Sequence, residues 1–183
     1  MNHVERRREL AEAVWRVIAR DGVAQISIRT VAAESGWSSG ALRHYFATRG
    51  ELLAFACEHV TARATERILG LNPSGTPREQ VRAVLLEVMP LDAERRIEAS
   101  ISFSFLALGL GDTALADVQR RQFAALYELC RHLAGQLTDG GEAAARRLHA
   151  LVDGLSMQIL AGHVSPESAV TELDAYLSEL VAG

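Results

Sequence analysis

The sequence predicts an all-α protein: an N-terminal three-helix head containing a helix-turn-helix, followed by a longer helical bundle. Apolar residues recur at i, i+3 and i+4 through almost every segment, and nowhere do they alternate over the length of a strand. Only 4 of the 183 residues are proline, and they stand with glycine at the joints between periodic segments, where turns belong. With 49% hydrophobic and 23% charged residues, a chain of this length buries a core without disulfides.

The first helix runs from Val4 to Ala19, with Leu10, Ala11, Val14, Trp15 and Ile18 as its inward stripe and Gly22 as its stop. Ser27 is the N-cap of a short helix through Ser35, Gly36 takes the left-handed position that ends it, and Ser38 caps the next helix. Two short helices joined by about three residues with a glycine between them make a helix-turn-helix. A fourth helix spans Arg49 to Leu69, with Leu52, Leu53, Ala56, Val60, Ala64 and Leu69 apolar. "LNPSGTP", residues 71–77, is the clearest break. Beyond it, helices fall at about Arg78–Met89, Asp92–Leu110, Asp112–Leu137, Gly141–Ala161 and Pro166–Val181, separated by Pro90, "GLGDT", "TDGG" and "GHVSPE".

Charge is divided along the chain. Every basic residue is arginine; residues 1–50 hold 8 against 5 acids, net +3, and residues 51–183 hold 11 against 18, net −7. A basic head on an acidic body suits a protein whose head alone meets a polyanion. The "RRR" at 6–8 is either a solvated helix face or, at Arg6, a phosphate contact.

Several function classes are excluded. Cys57 and Cys130 form no CxxC and are read as buried thiols. His59, His132, His149 and His163 share no ligand spacing, so no metal or other cofactor is expected. Ser156, Asp153 and His163 lack a nucleophile elbow, so an enzyme is not expected. The charged N-terminus is neither a signal peptide nor an anchor, and no apolar run is long enough to span a membrane, so a cytoplasmic protein is expected.

The chemistry concentrates in "SSGALRHYF", residues 38–46. Leu42 and Phe46, four apart, face inward, while Ser39, Gly40 and Arg43 share the opposite face. Short hydroxyls, a backbone bared at Gly40 and an arginine suit a helix entering the major groove, where a guanidinium forks onto guanine O6 and N7. Arg29 can reach the same duplex, Tyr45 and Arg49 can hold phosphates at the groove edge, and His44 is either a backbone contact or idle. The candidate DNA-binding set is therefore Ser27, Arg29, Ser38, Ser39, Gly40, Arg43, His44, Tyr45 and Arg49.

"SIRTVAAESGWSSGALRHYFATRGELL", Ser27 to Leu53, resembles the DNA-binding head of the TetR family of one-component transcriptional regulators. Two positions depart from that family's pattern: Arg43 stands where a tyrosine is usual and Arg49 where a lysine is usual. Arg49 keeps the phosphate role the resemblance implies, whereas Arg43 either reads a base or clamps a phosphate. Trp37 is expected in the core between the two short helices. The resemblance implies a head at 1–48 and a ligand-binding, dimerising body at 49–183, hence a homodimer that binds a palindromic double-stranded operator and answers to a small-molecule effector. "MPLDAERR" and "LVDGLSMQIL…LDAYL" are similar to the subgroup of choline-responsive BetI repressors, a likeness that carries no ligand with it.

Two apolar stripes fit pairing of the last two helices across a twofold axis: Leu148, Leu151, Val152, Leu155 and Ile159, then Val170, Leu173, Leu177 and Leu180. Met89, Phe103, Phe105, Phe123, Tyr127 and Met157 are either ordinary core or the wall of an effector pocket.

Overall fold

The structure is a computed structural model that describes residues 3–111 and 113–182. These form nine α-helices: α1 His3–Asp21, α2 Ile28–Ser35, α3 Ser39–Arg43, α4 Arg49–Gly70, α5 Pro77–Val88, α6 Ala93–Gly109, α7 Thr113–Ala134, α8 Gly141–Leu160 and α9 Pro166–Ala182. The expected all-helical class stands, and no strand occurs among the described residues. The start expected at Asp112 lies outside the described residues. A 3-10 turn at Val23–Gln25 escapes sequence reading because three residues show no period.

The chain divides into two compact units, Met1–Thr61 with Ser100–Gln119, and Ala62–Ala99 with Arg120–Gly183. In the first, α1 packs on α2 and α2 on α3. Leu10, Val14 and Val17 of α1 meet a core that also holds Val31, Leu42, Leu52 and Leu53, all buried. Local signals set the helix ends. Ser27 Oγ accepts from Thr30 N at 3.1 Å while Thr30 Oγ1 accepts from Ser27 N at 2.9 Å, a reciprocal capping box. Gly36 ends α2 at φ 73°, a left-handed conformation that glycine adopts without steric cost. On the outer side, Arg16 and Arg20 both grip Glu34 at 2.7 Å, tying α1 to α2. The Arg20 guanidinium, with Arg16 second, holds the Glu34 carboxyl below the usual carboxylate range.

The second unit is built on α5, α7, α8 and α9 around Val81, Leu85, Met89, Cys130, Leu148, Val152 and Leu173. Leu69, expected in the apolar stripe of α4, is 79% exposed, because it belongs to the last turn of that helix. The end of α4 is held by charge instead. Arg67 forks onto Glu98 of α6, Nη1 to Oε1 at 2.7 Å and Nη2 to Oε2 at 2.6 Å, and its Nε reaches Glu87 of α5 at 3.0 Å. Arg63 adds Glu98 at 3.4 Å and also meets Glu94. Glu98 is only 5% exposed. On the opposite side of α5, Arg82 holds Asp174 of α9 through two bonds of 2.6 and 3.2 Å.

Among the described residues Asp153 of α8 takes no such fork; His149 Nε2 lies 3.4 Å from its carboxylate. Burial pushes the Asp153 carboxyl up, with His149 opposing. A raised acid favours the fold while protonated, so this contribution is present at low pH and is lost as pH rises through the raised value. Asp153→Asn is therefore expected to stabilise the protein by about 1 kcal/mol at pH 8, with the gain vanishing as pH falls toward the ordinary carboxylate range. Thermal melts of both proteins from pH 5 to 8 check this; parallel curves at every pH would refute it.

Cys57 in the first unit and Cys130 in the second are free and buried. Burial pushes their thiols up to about 11 and about 12 respectively.

Candidate nucleic-acid interface

Helix α3 has five residues, and Leu42 is its one buried side chain. So short a helix is not stable alone; it is held from outside. Ser38 Oγ accepts from Ala41 N at 3.1 Å, closing the first turn. Leu42 and Phe46 are buried as the spacing required, and the Phe46 ring meets Phe55 of α4 at 5.0 Å. Gly40, Arg43 and His44 are exposed and Ser39 is half-buried, so the face opposite Leu42 is open to a partner.

Gly40 has ordinary helical backbone, and a Cβ built there would meet nothing nearer than Ser38 Oγ at 3.9 Å. The head's own packing does not require a glycine, which costs about 1 kcal/mol against alanine inside a helix. A glycine there also lets an external surface approach the backbone closely.

The arginines of the head fall into three groups. Arg7, Arg8, Arg16 and Arg20 are paired with acids, and Arg7 also lies 4.9 Å over the Phe55 ring. Arg49 is turned back onto the protein, Nε to Ile26 O at 3.2 Å and Nη2 to Val23 O at 3.1 Å. Arg6, Arg29 and Arg43 are exposed and make no ion pair or hydrogen bond to other described residues. The phosphate role expected of Arg49 thus competes with a clamp on the 3-10 turn, a pairing across more than twenty residues that no local pattern signals.

The structure therefore brings Ser38, Ser39, Gly40, Arg43, His44 and Tyr45 together on α3 and its flanks, places Arg29 exposed on α2, and engages Ser27 in the cap of α2. Trp37, expected in the core, is half-buried and lies edge-on to Tyr45, ring centroids 5.4 Å apart at 74°. Trp37 precedes the Ser38 cap of α3, outside both short helices, and is not among the fully buried residues.

The expected interface stripes are core faces. Leu148, Val152, Leu155 and Ile159 of α8 and Leu173 and Leu177 of α9 are buried in the second unit's own core, and Leu151 and Leu180 are partly buried against it. Val170 is half-buried. Periodicity identifies which face is buried and is silent on what buries it. The side of α8 left open carries Ala150, Gly154 and Met157, and that of α9 carries Ala175 and Val181. Among the pocket candidates, Met89 and Phe105 are fully buried, Phe103, Phe123 and Tyr127 are half-buried, and Met157, 54% exposed, points away from the core. Tyr127 packs edge-on to His149 at 5.8 Å. No group of three or more metal-ligating side chains occurs among the described residues, and no described helix is long and apolar enough to cross a membrane.

Residues 77–182 match the family model of the BetI-type transcriptional repressor C-terminal domain. The chain is 36% identical over 169 residues to the HTH-type transcriptional regulator PksA of Bacillus subtilis (strain 168), covering 87% of this chain and 81% of that protein. It is 28% identical over 192 residues to the HTH-type nicotine-responsive transcriptional repressor HdnoR of Paenarthrobacter nicotinovorans, covering 97% and 96%. A transcriptional regulator from Rhodococcus sp. Rha1 superposes with a TM-score of 0.81 at 27% identity, over 97% of this chain and 96% of that one.

Proposed function

The chain belongs to the TetR family of DNA-binding transcriptional regulators, proteins that are not enzymes, and from that membership we propose that it is a repressor, binding a palindromic operator as a homodimer and released by a small molecule. The observation that carries the DNA reading is α3 itself. It offers an open face with Gly40 and Arg43 exposed, and Arg43, like the exposed Arg29 of α2, pairs with no other residue among those described. Arg43 reads a base edge or clamps a phosphate, Ser39 and Gly40 admit the backbone to the groove, and Tyr45 takes a phosphate.

The open side of α8 supports dimerisation. A Cβ at Gly154 would meet nothing within 4 Å in this chain, and the neighbouring Met157 is exposed, so a second copy can approach closely there. The similarity to a nicotine-responsive repressor supports a small organic effector. Phe123 and Tyr127, one turn apart on α7 and both half-buried, are the aromatic side chains we propose to meet it. Release is a population shift: the effector binds the DNA-incompetent state more tightly, and a ten- to hundredfold loss of operator affinity needs only about 1.4 to 2.8 kcal/mol of coupling. Helix α4 is the coupling element, since it begins beside the head and its last turns are held by Glu98 and Glu87.

Selection of bound sequences from random duplex DNA tests the reading. A twofold-symmetric site whose affinity falls steeply with salt is expected. Failure of folded protein to enrich any site would sink it.

A further inference from the structure

Helix α3 poses a mechanical problem. Leu42 inside the helix and Phe46 just past it anchor one face, and both lie on the same side, so the opposite face is held from one side only. The Ser38 cap fixes the first turn only. The Trp37–Tyr45 contact supplies what is missing. Trp37 precedes the Ser38 cap and Tyr45 follows the His44 that ends the helix, so their contact ties the chain entering α3 to the chain leaving it. Both rings are half-buried. Gly36, in its left-handed conformation, gives the turn that precedes Trp37.

We propose that Trp37 is a positioning residue for operator recognition, bracing Tyr45 so that its hydroxyl meets one backbone phosphate and the exposed face of α3 is held at a fixed roll. The proposal rests on the DNA-binding reading above. An edge-on aromatic pair acts on the Tyr45 ring, and a phosphate contact would act on its hydroxyl, so the two engage different parts of the side chain. A hydrogen bond from a phenol to a charged phosphate is strong and geometrically demanding, which is where a brace changes affinity.

The test uses the full-length protein and the duplex enriched by selection, with a neutral methylphosphonate replacing each backbone phosphate in turn. Wild type is expected to lose affinity at one phosphate per half-site that Tyr45→Phe no longer senses, and Tyr45→Phe itself binds about tenfold more weakly. Trp37→Leu is expected to bind about three- to tenfold more weakly and to become insensitive at that same phosphate. The double variant is expected to bind no more weakly than the weaker single one. Trp37→Phe, which keeps a ring edge, is expected to restore most of the affinity and the sensitivity; circular-dichroism melts identify any variant whose head is unfolded. A folded Trp37→Leu that still loses affinity at the Tyr45 phosphate, or a double variant showing the product of the single losses, overturns the brace alone. If wild type enriches no duplex, the DNA-binding reading falls and takes the brace with it.

Discussion

Arg67→Met is expected to lower unfolding stability by about 3 kcal/mol, and Arg67→Met/Glu98→Leu to recover most of that loss. Glu98 is 95% removed from solvent and takes two short bonds from Arg67, with Arg63 Nε farther off at 3.4 Å. Removing Arg67 takes the whole fork from a desolvated carboxylate, and Glu87 loses a partner as well. Replacing both ends with apolar side chains removes the stranded charge, which is why the double variant is expected to outdo the single one. Urea denaturation of the four proteins of the cycle measures this. A single variant within 1 kcal/mol of wild type would show that the fork is screened like a surface pair.

Arg43→Ala is expected to weaken operator binding by about 1 to 3 kcal/mol, roughly ten- to a hundredfold. Arg43 is exposed on α3 and makes no ion pair or hydrogen bond to other described residues, so its loss is expected to leave the fold intact. Binding measured on the selected duplex and on single-base variants at several salt concentrations separates its two possible roles. A base-reading fork predicts relaxed specificity at one position per half-site, whereas a phosphate clamp predicts uniform weakening with the salt slope reduced by about one per protomer. Unchanged affinity and slope would remove Arg43 from the interface.

The helix boundaries were legible because their causes are local. Ser27, Gly36, Ser38, Pro77 and Pro166 each act within one turn, by a cap, a left-handed residue or a fixed φ. The inward positions Leu42 and Phe46 and the outward positions Gly40 and Arg43 were legible for the same reason, since one helical period decides them. What was not legible depends on partners far along the chain. Arg49 looks like a free cation until the carbonyls of Val23 and Ile26 are seen beneath it. Glu98 looks like a surface acid until α4 brings Arg63 and Arg67 to it. The stripes of α8 and α9 look like a surface for a second chain until the two helices are seen packed on each other, with α5 against α9, in one core of the same chain.

The two buried cysteines give the molecule a pair of internal clocks. One thiol lies in each compact unit, both are closed to solvent, and there is no third to confuse the signal. A thiol reagent can reach either sulfur only when its unit opens, so the labelling rate of Cys57 times the breathing of the head-containing unit and that of Cys130 times the breathing of the other. Operator and effector can then be compared by which clock each one slows, in the unmodified sequence and with no added probe.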